Sequence, residues 1–175
     1  PRQPRRVAIV GAGYVAVELA GVFRALGSEV VLLVRRSSVL MSFDELLRDA
    51  VMREMAADGI EIHPNTHVRE AVREASGITL RCLEGAELKG FDCVLWAVGR
   101  ESLTDDLNLA AAGVKTDKER HVVTDEWQNT NVSGVYAVGD VTGREALTPV
   151  AIAAGRRLSD RLFGGQPQRQ FSQRE

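Results

Sequence analysis

A glycine-rich turn between a strand pattern and a helix pattern constrains this chain more than any other feature. Val7–Val10 is a short, mostly β-branched run, and Gly11–Gly13 contains the two glycines that follow it. Apolar residues then recur three or four positions apart as far as Leu26, which is the spacing of one helix face. Val30–Val34 is apolar throughout, as a strand buried on both faces of a parallel sheet would be. The pattern predicts a β-α-β unit.

The same turn predicts a dinucleotide site. Gly11 permits a tight turn after the strand, and Gly13 lets the backbone approach a pyrophosphate at the positive end of the helix. Ala16 occupies the third glycine position of the motif. A turn without any ligand is the alternative interpretation, because the pattern is short when taken by itself.

Two arginines after the second strand indicate which dinucleotide is bound. An NAD site places a carboxylate about 20 residues beyond the glycines, where it binds the ribose 2′-hydroxyl. Here Arg35 and Arg36 follow the strand, and Ser37 and Ser38 add hydroxyl donors. Arginine accommodates a 2′-phosphate through charge-assisted hydrogen bonds. We therefore predict NADP(H) rather than NAD(H), the alternative being two solvated arginines on a loop.

The rest of the chain predicts an α/β fold: a Rossmann-like parallel sheet with helices on both faces and a β-meander crossover. Asp44 is placed to cap a second helix, and Gly59 to end it. The further predicted elements are strands at 60–63 and 91–98, meander segments at 66–75, 78–83 and 86–88, late strands at 121–124 and 135–138, and a helix at 149–163.

Composition excludes several classes of function. Lys and Arg total 22 against 24 Asp and Glu, so the net charge of −2 argues against a nucleic-acid partner. Apolar runs stay well short of the roughly 20 residues that span a bilayer, which predicts no membrane partner and a cytoplasmic protein. Cys82 and Cys93 form no C-x-x-C pair and are predicted to be inert core thiols. Metal-ligand spacing is missing as well, so no metal site is predicted.

Several longer motifs follow one another in the order seen in the FAD-dependent pyridine nucleotide–disulfide oxidoreductases. Within that family they most resemble the motifs of glutathione reductases. The resemblance spans roughly residues 5 to 164. Its motifs are G-A-G-Y-V-A-V-E-L-A-G (Gly11–Gly21), L-G-S (Leu26–Ser28), V-R-R (Val34–Arg36), S-F-D (Ser42–Asp44), L-W-A-V-G-R (Leu95–Arg100), Q-N-T-N-V-S-G-V-Y-A-V-G-D (Gln128–Asp140) and L-T-P-V-A-I-A-A-G-R (Leu147–Arg156).

The resemblance implies an NADPH-binding domain over residues 1–118. In it Tyr14 is the aromatic gate over the nicotinamide pocket, and Glu18 contacts the nicotinamide carboxamide region. Family members usually carry a second 2′-phosphate arginine where this chain has Met41. The residues assigned to NADPH are Gly11, Ala12, Gly13, Tyr14, Val15, Glu18, Arg35, Arg36 and Gly99.

For residues 119–164 the resemblance implies the returning segment of a split FAD-binding domain, followed by a polar tail over 165–175. Asp140, at the end of the strand predicted at 135–138, would bind a ribityl hydroxyl, the alternative being a turn cap. Thr148 and Pro149 are predicted as the N-cap and first residue of a helix whose positive end faces the flavin. The residues assigned to FAD are Arg100, Asp140, Leu147 and Thr148.

The resemblance also implies the activity of the parent enzyme, in which electrons pass from NADPH through FAD and a redox disulfide to glutathione disulfide in a homodimer. The family's C-x-x-x-x-C pair, His–Glu dyad and first G-x-G-x-x-G are not found in this sequence, so no catalytic residue is assigned. His63 and Pro64 superficially match the dyad element but follow the third predicted strand. We expect the chain to need a missing N-terminal half for FAD and to be inactive by itself. Two alternatives are a stand-alone NADP(H)-binding module and a thioredoxin or trypanothione reductase.

Overall fold

The computed structural model describes residues 2–168, which divide into two compact units after Gly99. The predicted functional boundary at 118/119 remains a prediction, because compactness alone does not say which residues serve which cofactor. Part of the predicted tail, residues 169–175, lies outside the described residues.

The first unit begins with the predicted β-α-β pattern. Its described elements are β1 (Arg6–Val10), α1 (Tyr14–Ala25), β2 (Glu29–Leu33), α2 (Glu45–Ala57), β3 (Glu61–His63), β4 (Val68–Glu74), β5 (Gly77–Cys82), β6 (Glu87–Phe91) and β7 (Cys93–Trp96). The predicted cap of α2 is confirmed, since an Asp44 carboxylate oxygen accepts from the Leu46 backbone N–H at 2.9 Å. The predicted meander is confirmed as β4–β6, an antiparallel sheet in that order.

The parallel sheet has the strand order β3-β2-β1-β7, with all neighbours parallel. Strand β1 is therefore central, pairing with β2 on one side and with β7 on the other. The chain reaches β7 only after the meander, which makes the antiparallel sheet the crossover connection. This confirms the predicted α/β class with a parallel sheet and a meander crossover.

Alternate residues of β1 and β2 supply two cores on opposite faces of the sheet. Val7 and Ile9 pack with the buried faces of α1 and α2. Ala8 and Val10 pack instead with Leu80 and Phe91 and partly buried residues of the meander. We predicted helices on both faces, whereas both described helices of this unit cover one face and the meander covers the other. The apolar run of β2 had indicated two buried faces but not what covers each.

A carboxylate ties the start of β1 to the start of β7. Asp92 precedes β7 and accepts the backbone N–H groups of Arg5 and Arg6 at 2.8 and 3.0 Å. These hydrogen bonds, first from Arg6 and then from Arg5, hold the pKa of Asp92 below its ordinary value. The contact fixes the edge of the sheet opposite to the glycine turn.

The second unit, from Arg100 onward, is mostly loops with two short 3₁₀ turns, Asp105–Leu107 and Gly139–Thr142, before the helix α3 (Thr148–Phe163). Its loops are held by polar contacts. The Arg161 guanidinium of α3 donates to the Trp127 carbonyl at 2.6 Å and lies 5.6 Å from the Tyr136 ring centroid. The predicted helix at 149–163 is confirmed.

Two strand predictions in this unit are wrong. The segments 121–124 and 135–138 take part only in isolated bridges, Thr116 with Val122 and Asn129 with Tyr136. A β-branched run forms a strand only where a partner chain continues beside it, and here each partner pairs at a single position. Asp140 therefore follows an isolated bridge, not a strand end, and lies in the second 3₁₀ turn.

The predicted cap of α3 is wrong by one residue. Leu147 is the N-cap, with extended backbone and no side-chain hydrogen bond, so Thr148 is the first helical residue. Pro149 is then the second helical residue, where a missing N–H costs no intrahelical bond.

Within residues 2–168, no helix is both long enough and apolar enough to cross a bilayer.

The core between the sheet and the meander gives a stability prediction. Leu80 on β5 is fully buried, whereas Leu83, just beyond the same strand, is 65% exposed. Leu80→Ala should lower the free energy of unfolding by about 2–5 kcal/mol through lost burial and a cavity, and Leu83→Ala by less than about 1 kcal/mol. Urea unfolding followed by circular dichroism measures both. Equal losses for the two variants would contradict this assignment of the core.

Candidate functional site

The carboxyl edge of the parallel sheet brings the glycine turn and the end of β7 together. Gly11 follows β1, and its N–H donates to the Leu33 carbonyl of β2 at 3.0 Å. On the other side of β1, the Ala97 N–H donates to the Val10 carbonyl at 2.8 Å. Gly11 and Ala97 therefore lie at the carboxyl edge of the parallel sheet, which is the edge where open α/β sheets bind their ligands.

Gly11 lies so close to the residue after β7 that no side chain fits. Its backbone has a φ of +148°, and a Cβ built on it would lie 2.3 Å from the Ala97 carbonyl oxygen. A glycine is therefore required for the turn to pass beside the neighbouring strand. The role assigned to Gly11 from the sequence was a tight turn; its contact with Ala97 is new, because sequence periodicity does not show which strand lies next to β1.

The start of α1 is open towards this edge. Gly13 is the N-cap, with no side-chain cap, and a Cβ on it would meet nothing within 4 Å. Tyr14, Val15 and Glu18 are exposed, and Tyr14 and Glu18 lie four residues apart on one face of the helix. Backbone N–H groups at a helix start with space before them can hold an anionic group.

Arg35 and Arg36 lie on the loop after β2 and are exposed. Neither side chain forms an ion pair with any residue that the structure describes. The backbone around them is fixed, since the Val34 N–H donates to the His63 carbonyl at 2.9 Å and the Arg36 carbonyl accepts from Asn65 at 3.0 Å. The loop thus presents two guanidinium groups, and none of residues 34–43, which follow β2, carries a carboxylate.

One further arginine reaches this loop, and sequence reasoning missed it. Arg48 of α2 places Nη1 3.3 Å from the Met41 sulfur. The helix period marked Arg48 only as a polar residue between apolar positions, and no motif pointed to it. Met41 follows Leu40, whose N–H donates to the Ala12 carbonyl at 2.7 Å. The loop after β2 therefore folds back onto the glycine turn.

The remaining predicted residues lie at or beyond the end of the first unit. Gly99, its last residue, has a φ of +136° with open space beside it. In the second unit, Arg100 Nη1 is 3.1 Å from an Asp140 carboxylate oxygen, and Nη2 donates to the Ala146 carbonyl at 3.0 Å. This pair is exposed, and it holds the 3₁₀ turn beside the start of α3, where Leu147 and Thr148 lie.

Of the two thiols, Cys82 has the properties of a structural cysteine. Cys82 and Cys93 are both free, and Cys82 is buried. Burial, with a smaller contribution from the Glu84 charge, raises the pKa of Cys82. A raised pKa lowers the thiolate fraction that nucleophilic chemistry requires. His63, the superficial match to the dyad element, ends β3, and its Nε2 lies 2.6 Å from a Glu61 carboxylate oxygen.

A grouping of metal-ligating side chains that spacing did not reveal occurs in the second unit. Ligand atoms of Asp117, Glu119 and His121 lie within 4.8 Å of one another. Both carboxylate oxygens of Asp117 already contact His121, one at its backbone N–H and one at Nδ1. The group is held by its own hydrogen bonds, and we assign it no metal.

Comparison with known proteins identifies the family. Residues 1–155 match the profile of the pyridine nucleotide-disulphide oxidoreductases. The chain belongs to this family. It is 45% identical over 165 residues to a glutathione reductase of Yarrowia lipolytica and 48% identical over 165 residues to one of Schizosaccharomyces pombe. Each alignment covers 93% of this chain but 35% of the relative, so the chain spans about a third of the length of these glutathione reductases.

Two solved structures share the fold. The HOCl-induced flavoprotein disulfide reductase RclA of Escherichia coli, as its Cu(II) complex, superposes with a TM-score of 0.86 at 29% identity, over 97% of this chain and 38% of that one. LpdA of Mycobacterium tuberculosis superposes with a TM-score of 0.83 at 23% identity, over 93% of this chain and 35% of that one. The second likeness supports the fold alone.

The contact at Gly11 gives a second prediction. Gly11→Ala should destabilise the chain by at least about 3 kcal/mol, because the methyl group meets a backbone carbonyl in addition to the strained φ. Gly27→Ala is the matched control, since Gly27 also has a positive φ of +90° but open space around it. That variant should lose only about 1–2 kcal/mol. Urea unfolding compares the two, and an equal loss would refute the close approach to Ala97.

Proposed function

We propose that this chain is the NADPH-binding part of a flavin-dependent disulfide reductase that acts on glutathione disulfide. In this proposal the first unit binds NADPH, and the second unit contributes contacts to FAD. The bound cofactors would supply hydride transfer and flavin redox chemistry, which the side chains alone cannot perform. The chain's own residues would bind and orient them.

One arrangement carries the proposal: a glycine turn and two arginines without ion-pair partners at the carboxyl edge of one parallel sheet. The open space before Gly13 and the uncapped start of α1 fit a pyrophosphate. Arg35 and Arg36 fit a 2′-phosphate, since no acidic residue in the described part of the chain forms an ion pair with either of them. A ribose 2′-hydroxyl would instead call for a carboxylate acceptor after β2.

The remaining NADPH contacts are assigned by position. Ala12 lies within the turn, and Tyr14, Val15 and Glu18 on the exposed side of α1 would line the path of the dinucleotide. Gly99 would let the backbone after β7 approach it. Tyr14 is proposed as a movable aromatic cover, in keeping with its exposed fraction of 38%.

In the second unit, Asp140 and the start of α3 would hold part of FAD. Asp140 presents a carboxylate that can accept a hydroxyl hydrogen, and Arg100 keeps it in place. Leu147 and Thr148 begin a helix whose N-terminus lacks a side-chain cap, so its positive end is available to a flavin ring. The residues of the second unit therefore fit FAD, and the rest of the FAD-binding site would come from sequence outside this chain.

Glutathione disulfide is favoured as substrate by the glutathione reductases that are 45% and 48% identical to this chain. Neither the stand-alone module nor the thioredoxin or trypanothione reductase has a specific observation in its favour. We further propose a homodimeric parent enzyme.

Cofactor preference tests the first-unit assignment. Wild type should bind NADPH about 10- to 100-fold more tightly than NADH, because a 2′-phosphate gains charge-assisted hydrogen bonds and each 1.4 kcal/mol is about tenfold. Arg35→Ala should weaken NADPH binding far more than NADH binding, and Met41→Arg should increase the preference. Calorimetric titration of both cofactors measures this. Equal losses for both cofactors in Arg35→Ala would mean that Arg35 acts on the shared adenosine.

An activity assay tests whether this chain binds cofactor without carrying the catalytic groups. The 175-residue chain should not reduce glutathione disulfide with NADPH, even with added FAD, because Cys82 and Cys93 do not have the spacing of the family's redox pair and Cys82 is a buried thiol with a raised pKa. The measurement is NADPH oxidation, followed by the loss of absorbance of the reduced nicotinamide, with a buffer blank as the control. Turnover above the blank would show that the chain carries a catalytic group that we have not assigned.

A further inference from the structure

The loop after β2 is pinned to the glycine turn by a strained residue. Leu40 has a φ of +52°, unusual for a bulky residue, and its side chain is buried. Its N–H reaches the Ala12 carbonyl at 2.7 Å, and its own carbonyl accepts from Phe43 at 2.8 Å. Such a conformation persists only where its surroundings enforce it. Met41, the next residue, is thereby fixed beside the glycine turn.

Arg48 extends from α2 to this fixed point without finding a strong acceptor. Its Nη1 contacts the Met41 sulfur at 3.3 Å, and a thioether is only a weak acceptor. Its Nε is buried and has no hydrogen-bond partner among the described residues. By contrast, Arg81 contacts both Glu70 and Glu87, each at 3.0 Å.

The acidic residues closest to Arg48 along the chain are Asp49, Glu45 and Asp44, and none of them forms an ion pair with it in the described structure. Asp44, four residues earlier, directs one carboxylate oxygen to the Leu46 N–H as the helix cap. Within the described part of the chain, Arg48 forms no ion pair. Arg48 thus contacts the loop that also carries Arg35 and Arg36, and none of the three guanidinium groups has a carboxylate partner among the described residues. A dianionic phosphate is the ligand that matches three such groups.

We propose that Arg48 is a third phosphate-binding arginine of the dinucleotide site, contacting the 2′-phosphate of NADPH. This inference rests on the proposed function of the first unit. Arg48 would exchange the weak Met41 sulfur for phosphate oxygens, at little cost because the thioether contact is weak. It supplies from a helix the cation that Met41, on the loop, cannot provide.

The test compares Arg48→Gln with Arg53→Gln, an exposed arginine on the same helix with no ion pair among the described residues. Arg48→Gln should weaken NADPH binding about tenfold and NADH binding less than about twofold, as one charge-assisted contact predicts. Arg53→Gln should change neither. Calorimetry gives both dissociation constants, and circular dichroism confirms that each variant is folded. Arg48→Lys, which keeps the charge, should lie between wild type and Arg48→Gln.

A second readout separates direct contact from a structural role. The ³¹P resonance of the bound 2′-phosphate titrates with a pKa that is about 6 in a free phosphomonoester, and nearby cations lower that pKa. Arg48→Gln should raise the pKa of the bound phosphate relative to wild type, while Arg53→Gln should leave it unchanged. Weakened binding without a change in this titration would overturn the proposal.

The outcomes also separate this inference from the proposed function. If wild type prefers NADPH and Arg48→Gln keeps the full preference, Arg48 is not a phosphate ligand and the proposed function stands. Equal losses for NADPH and NADH would place Arg48 on the shared pyrophosphate and overturn the 2′-phosphate assignment. If wild type shows no preference, the proposed function fails and this inference fails with it.

Discussion

The close approach of Gly11 to the Ala97 carbonyl is the constraint on which the carboxyl edge of the parallel sheet depends. Strand β1 can lie between β2 and β7 only if the turn after it passes beside the residue that follows β7, and only glycine passes there. The helix α1 begins three residues later, at Tyr14, so its N-terminus is directed by that passage. The loop after β2 is then held to Ala12 through Leu40. Each element of the site takes its place from the one turn.

The local parts of this arrangement could be predicted from the sequence, because they depend on short-range periodicity. β1, α1 and β2 followed from the change between continuous apolar runs and helical spacing, and Asp44 was recognisable as a cap. The coverage of the sheet was not predictable in the same way. An apolar run such as Val30–Val34 shows that both faces are buried, but whether a helix or a meander buries each face is decided by long-range packing.

The failures share a physical cause as well. A strand exists only with a neighbour, and the segments 121–124 and 135–138 each find one bridging partner where strands were predicted. The N-cap of α3 is Leu147 rather than Thr148, because the helix begins where the backbone permits, even when the capping residue contributes no side-chain hydrogen bond. Arg48 was missed because a contact between a helix and a loop seven residues earlier leaves no periodic signal.

At the carboxyl edge of the parallel sheet, several charged or polar groups have no electrostatic partner within the described residues. The start of α1 has no side-chain cap, and Arg35, Arg36 and Arg48 have no carboxylate partners among the described residues, whereas Arg81 on the meander has two. A ligand with phosphate groups supplies the missing negative partners. The free energy of those contacts then contributes to the binding affinity, and it raises the stability of the folded state only when the ligand is present. Building carboxylates into the loop would stabilise the free chain and weaken the site by the same interactions.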